Sequence, residues 1–288
     1  MRRELWILAL LAACVDETRD DESTLEAPRV VAVESVPAES APGESVHLRA
    51  IVAAPPGSAR AALAWSLCTT PRAPVDNTAV SPACATTRER PLEGDALELD
   101  LTIPPDACRV FGSETPAGSA PNAADGTGGY YQPVRVALGE HITVVRQRLR
   151  CALAGAPIEV AQAFARDYQP NRAPAIGAVH AWIAGVEYPL DALPHAPQVE
   201  LRVELAEAEA YLRYDEREVQ LRTERERQTA SWFTNAGRVS PARSELAGTV
   251  ASATWQVPSD VESALVWLIV QDDRGASTTT TVAASFVR

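Results

Sequence analysis

The chain has 288 residues, 46% of them hydrophobic, and a formal charge of −12 without a single lysine. Such a length buries a sizeable core in one to two domains. The acidity excludes binding to nucleic acid or anionic headgroups through a basic patch. The missing lysine excludes a Walker A loop, a pyridoxal Schiff base, a Ser–Lys dyad and a protein-kinase active site.

Arg2 and Arg3 precede an apolar run, Leu5 to Leu11, and small residues follow up to Cys14. This is the layout of a secretory signal peptide, and the run is too short to span a bilayer of about 30 Å. Leu11-Ala12-Ala13-Cys14 resembles a bacterial lipobox. That resemblance implies cleavage after residue 13, acylation of Cys14 and a mature chain of charge −13. Two or more acyl chains, at roughly 0.8 kcal/mol per buried methylene, make a stable anchor. Val15 in place of an aspartate implies, by the same resemblance, export to the outer membrane. Asp16 to Ser23 is too charged to pack and reads as tether; the acidic tether as a whole is placed at 14–27.

From Pro28 onward, β-branched and apolar runs alternate with Pro/Gly/Ser turns. Arg29 to Ser35, Ser45 to Ala53, Ala62 to Cys68 and Ala96 to Ile103 are predicted strands. In the third, Leu63, Trp65 and Leu67 share a face, making Trp65 a core candidate and placing Cys68 on the other side or at the strand end. Pro104 to Pro133 is loop by composition. A hairpin about Gly139-Glu140 follows. In its second arm Val145, Leu149 and Cys151 face one way, and Arg146, Arg148 and Arg150 the other. That arginine row reads as a solvated sheet face or as a site for an acidic ligand. Ala156 to Tyr168 has helical spacing, with Val160, Ala161, Phe164 and Tyr168 in register behind Pro157. "QPNRAP" then reads as a linker with a boundary near Asn171.

Ala175 to Ala184 and Gln198 to Leu205 are further strands. "ELAEAEAYLRYDEREVQLRTERERQ" is mixed, with helical propensity set between strands. "TASWFTNAGRV" puts Trp232 in a strand before a turn. The final segment is two strands about Asp272-Asp273-Arg274-Gly275. Four cysteines besides Cys14 allow three connectivities; Cys68–Cys84, closing a short polar loop, with Cys108–Cys151 is preferred. A zinc site is disfavoured because no CxxC pair exists.

"SWFTNAG", "VWLIVQDDRG" and the Thr-rich terminal strand resemble the C, F and G strands of bacterial Ig-like/PKD-type β-sandwich modules, and "NRAPAI" is similar to the opening of such modules. The first half, with "PGESVHLRA" leading to a Trp-bearing strand, resembles an Ig-like module elaborated by cysteine loops. Together they resemble the lipoproteins of myxobacterial-type outer membranes. The resemblance implies a mainly β chain of two tandem Ig-like antiparallel sandwiches, at 28–171 and 172–288, with a short helix near their junction. It specifies a fold and no chemistry.

The sequence lacks GxSxG, HExxH, GxGxxG and EF-hand patterns, and its four histidines are scattered. No cofactor and no catalysis are expected. The expected role is a lipid-anchored structural or protein-binding module with a partner in the envelope. The alternative is a calcium- or glycan-binding surface protein using residues 122–131. There Asn122 and Asp125 would offer oxygens, and Tyr130 and Tyr131 would stack on a ligand.

Overall fold

The computed structural model describes residues 21–59, 62–73, 79–93, 97–112, 125–246 and 248–287. Cys14, the signal at 1–13 and Asn122 lie outside them. The chain is mainly β and forms two antiparallel sandwiches in succession, each with its own core.

The first comprises β1 (Arg29–Val36), β2 (Glu39–Ser40), β3 (Ser45–Ala53), β4 (Leu63–Leu67), β5 (Arg90–Pro91), β6 (Glu98–Thr102), β7 (Gly129–Leu138) and β8 (His141–Arg150). Its sheets run β1-β3-β6 and β2-β8-β7-β4-β5. Side-chain alternation accounts for the facing: Val46, Leu48 and Ala50 of β3 are buried, while His47 and Arg49 reach the other side. Trp65 lies in the middle, fully buried.

The second comprises β9 (Ile176–Ile183), β10 (Val186–Tyr188), β11 (Leu193–Pro194), β12 (Gln198–Leu205), β13 (Ala210–Asp215), β14 (Gln220–Arg225), β15 (Gln228–Thr234), β16 (Arg238–Ser240), β17 (Arg243–Glu245), β18 (Val250–Gln256), β19 (Ser263–Asp272) and β20 (Ser277–Val287). Sheets β10-β9-β12-β18-β16 and β11-β20-β19-β15-β17 enclose Trp232 and Trp255, both fully buried. In each sandwich a two-residue strand crosses over to pair in parallel with the last strand, β2 with β8 and β11 with β20. The two halves thus repeat one Ig-like topology.

Among the described residues three short α-helices decorate the strands: α1 (Pro82–Thr86), α2 (Ala107–Phe111) and α3 (Ile158–Asp167). Disulfides Cys68–Cys84 and Cys108–Cys151 tie α1 to the end of β4 and α2 to the end of β8, with Cα atoms 5.2 and 5.7 Å apart. Cys68 sits just past its strand, at the strand end as one of the two expected placements has it, and is buried, its sulfur bonded to the buried Cys84 of α1.

The segment of mixed propensity is a β-hairpin, β13–β14. Cross-strand pairing outweighs helical propensity there: Arg213 pairs with Glu224 at 3.2 Å, and the Tyr214 amide donates to Gly126 O at 2.7 Å. A Cβ on Gly126 would collide with the Tyr214 carbonyl, so the contact requires glycine. The C-terminal end of the expected tether is also packed. Ser23 and Leu25 are buried, Ser23 Oγ accepts from the Val239 amide at 3.0 Å, and Leu25 packs with Ala53, Trp267 and Ile269. Thr24 adds a parallel bridge to Thr234 and donates its hydroxyl to Gly237 O at 3.1 Å, so a largely acidic segment is docked by one leucine, two hydroxyls and a backbone bridge.

The two disulfides close loops of different length, with sequence separations of 16 and 43. Replacing Cys68 and Cys84 by alanine is expected to cost about 3 kcal/mol, and replacing Cys108 and Cys151 about 4 kcal/mol, as urea unfolding would show. The reverse order would contradict the loop argument.

Candidate functional site

Where the two sandwiches meet, the chain gathers its buried charges. Arg148 on β8 has a side chain 1% exposed. Its Nε donates to Glu39 on β2 at 3.2 Å; its Nη2 donates to Thr127 Oγ1 and O at 2.7 and 3.3 Å. Nη1 donates to the Tyr131 hydroxyl at 3.4 Å and lies 3.8 Å from Asp125 Oδ2. A Cβ on Gly129 would run into the guanidinium, so only glycine allows Arg148 to lie over β7. The expectation of a solvated arginine row therefore fails at Arg148: the register that lines up β2 opposite Arg148 and Leu149 brings an internal carboxylate onto it. Arg146 stays exposed, and Arg150 pairs with Glu44 at 3.2 Å.

Glu39 has further partners beyond its sandwich. It accepts from the Tyr168 hydroxyl at the end of α3 and from the Asn171 amide at 3.0 Å. Burial and the Glu39 charge hold the Tyr168 hydroxyl well above its usual range. Asn171, which the sequence places in a linker, is 3% exposed, and its Nδ2 donates to Asp272 Oδ2 at 3.3 Å. Beyond Asp272 lies Arg274, also buried, donating to Glu226 at 2.6 Å and Glu209 at 3.0 Å, with its guanidinium 4.9 Å from the Tyr211 ring centroid. The Tyr131 hydroxyl donates to Arg274 O at 3.2 Å. A small apolar cluster of Leu153, Phe164 and Tyr214 flanks the network, so α3 is wedged between the first sandwich and the hairpin.

Three carboxylates, Glu209, Glu226 and Asp272, surround the single guanidinium of Arg274. Burial, with Asp272 close by, pushes the Glu226 carboxyl up to about 7. Burial likewise pushes Asp272 up to about 6, against the bonds it accepts from Ala276 and Asn171.

The expected ligand residues are divided by this geometry. Tyr130 and Tyr131 belong to β7, not to a loop, and point to opposite faces. Tyr130 is 3% exposed and packs in the first core; Tyr131 enters the junction, with Arg146 stacked 4.8 Å from its ring centroid. Asp125 accepts from the Thr127 amide and hydroxyl at 2.8 and 2.7 Å. Asp125, Tyr131 and Arg146 border a hollow of about 200 Å³, and Tyr131 and Arg146 also border a groove of about 290 Å³ on the other side. Among the described residues no group of three His, Cys, Asp or Glu is arranged to hold a metal. His47 and His180 form exposed pairs with Asp100 and Glu187, and His195 stacks on Phe286. Glu39, Asn171, Glu226, Asp272 and Arg274 had no signal in the sequence beyond the Asp-Asp-Arg-Gly turn.

No protein-family model matches the chain, and no curated protein does. Among solved structures it is similar to the D0-D1 domain of Intimin, at 12% identity and TM-score 0.23, covering 89% of this chain and 98% of that one. It is similar also to the adhesin InvE of Yersinia pseudotuberculosis, at 11% and 0.23, covering 88% and 58%. The three N-terminal domains of the outer capsid protein Hoc of bacteriophage RB49 align at 10% and 0.22, over 90% and 59%. The chain spans less than two thirds of the latter two. The Ig-like assignment rests on strand order and register.

Two outcomes follow from the junction. Removing Arg148 leaves Glu39 buried without its countercharge, so Arg148→Met is expected to cost about 3–5 kcal/mol, and adding Glu39→Gln to recover much of it. Glu226 and Asp272 bind their protons more tightly folded than unfolded, where carboxylates titrate near about 4. Their contribution to stability is therefore full below about pH 4 and is lost as pH rises through about 6 to 7. Glu226→Gln should gain stability relative to wild type between acidic and neutral pH; a difference independent of pH would contradict the assignment.

Proposed function

We propose that the protein is a non-catalytic module of the bacterial envelope, lipid-anchored through Cys14 and exported to the outer membrane, whose two Ig-like units (28–171 and 172–288) present binding surfaces to another envelope or surface protein. The observation that carries this reading is the junction: Glu39, Arg148, Glu226, Asp272 and Arg274 are all partnered by this chain's own groups. Buried charge that joins two sandwiches is committed to structure, leaving sheet edges and hollows as the surfaces on which a partner acts. The lipobox-like tetrad and the acidic body support a lipid, rather than a basic patch, as the means of attachment. No helix among the described residues is long and apolar enough to cross a membrane.

A second reading has the hollow beside Asp125, Tyr131 and Arg146 taking a glycan, with an exposed guanidinium stacked on a tyrosine at its rim. Calcium fits less well, since one Asp125 oxygen already accepts two hydrogen bonds and Arg148 stands near the other.

Fractionation tests the anchor. Wild-type protein is expected in the membrane fraction and Cys14→Ala in the soluble fraction; equal membrane retention of both would refute the lipobox reading. Protease treatment of intact against lysed cells then distinguishes a surface module from a periplasmic one.

A further inference from the structure

β8 is covered unequally along its two edges. One edge pairs with β7 over the whole strand, from His141 to Arg150. Among the described residues the other is paired only at Arg148 and Leu149, by the two residues of β2. The hairpin loop has two residues, so Leu138 and His141 close it as a hydrogen-bonded pair, and bonding to β7 falls on every second residue thereafter. The Cys151 amide donating to Gly128 O at 3.2 Å continues that phase. The N–H and C=O groups of Val144 and Arg146 therefore point away from β7, along the uncovered edge.

That edge opens into the groove of about 290 Å³. Val144 and Val145 form one wall; Val31, Ala32 and Val33 of β1, itself an edge strand, form the other. The second sandwich closes one side through Ser277, whose hydroxyl donates to Val33 O at 3.2 Å. Arg146 is the one charged residue bordering the groove among the described residues. It is exposed, makes no ion pair among the described residues and lies over the Tyr131 ring, 4.8 Å from its centroid. A slot with aliphatic side chains on both walls and polar ones between them, a row of backbone groups without a strand partner among the described residues, and one cation on a chain of charge −12 define a narrow set of occupants.

We propose that this groove is a strand-addition site: an extended segment of a partner protein pairs with the outer edge of β8 across Val144 and Arg146, inserts one aliphatic side chain between β1 and β8, and sets an aspartate or glutamate against Arg146. Main-chain hydrogen bonds supply affinity in this mode, and alternate side chains supply selectivity. His141 to Gln147 offers about 23 Å of edge at roughly 3.3 Å per residue, enough for a short strand. A second copy of the chain is a poor occupant, because antiparallel pairing of β8 with itself brings two Arg146 side chains together and joins two strongly acidic bodies.

The inference rests on the reading of the protein as a binding module and is independent of the anchor, which fractionation tests separately. The full chain in detergent is panned against a displayed library of random heptapeptides, and enriched peptides are synthesised and titrated by calorimetry. Enriched sequences are expected to alternate aliphatic and polar residues and to carry an acid. Val144→Pro removes one outward N–H and leaves the β7 ladder intact; it should weaken binding by about tenfold or more at an unchanged melting temperature. Arg146→Glu, which leaves the strand backbone alone, should turn the preference from acidic to basic peptides. Absence of any enriched sequence, or peptides that bind both variants as tightly as wild type, would overturn the proposal.

Discussion

Arg148 carries a full positive charge at a place water does not reach, and much of the surrounding structure is arranged to make that tolerable. A carboxylate must face it, so β2 crosses over to set Glu39 opposite. Its remaining donors need acceptors, which Thr127 and the Tyr131 hydroxyl supply. Glu39, in turn, has acceptor capacity beyond one guanidinium, and Tyr168 and Asn171 fill it from outside the first sandwich. One buried cation thus draws the end of α3 and the segment after it onto the first sandwich.

The second sandwich answers with the same chemistry in reverse proportion. There one guanidinium, Arg274, serves several carboxylates, and the surplus of negative charge is relieved by keeping Glu226 and Asp272 readily protonated. Asn171 spans the two halves of the network, accepted by Asp272 and donating its amide to Glu39. The apolar cluster of Leu153, Phe164 and Tyr214 flanks it. Polar networks of this kind define one arrangement of their parts more than they add stability. The surfaces left for binding are therefore the ones the junction does not use, above all the outer edge of β8.

Much of the fold was legible because half-buried strands announce themselves by alternation. Ser45 to Ala53 and Gln198 to Leu205 were placed with the bounds the structure shows, and Trp65 and Trp232 lie in the two cores. Residues 204–228 were ambiguous because Glu, Ala, Arg and Leu favour helix locally, whereas cross-strand ion pairs and docking on Gly126 decide for a hairpin. The junction was illegible for a different reason. Glu39 and Asp272 are 233 positions apart, and Asn171 between them looked like linker, so only the folded chain shows that they share partners. Alternation put Arg146, Arg148 and Arg150 on one face correctly, but it does not tell which of three arginines meets a carboxylate. The pair Tyr130-Tyr131 misled in the opposite way: adjacent in sequence, they face apart in a strand.

The central claim is that the buried network makes the two sandwiches unfold together, and differential scanning calorimetry addresses it directly. The account predicts one endotherm for the wild-type chain, with calorimetric and van't Hoff enthalpies in agreement. In the double variant Glu39→Gln/Arg274→Met it predicts two separated transitions. Two independent transitions in the wild type, or a single one that survives loss of both groups, would contradict it.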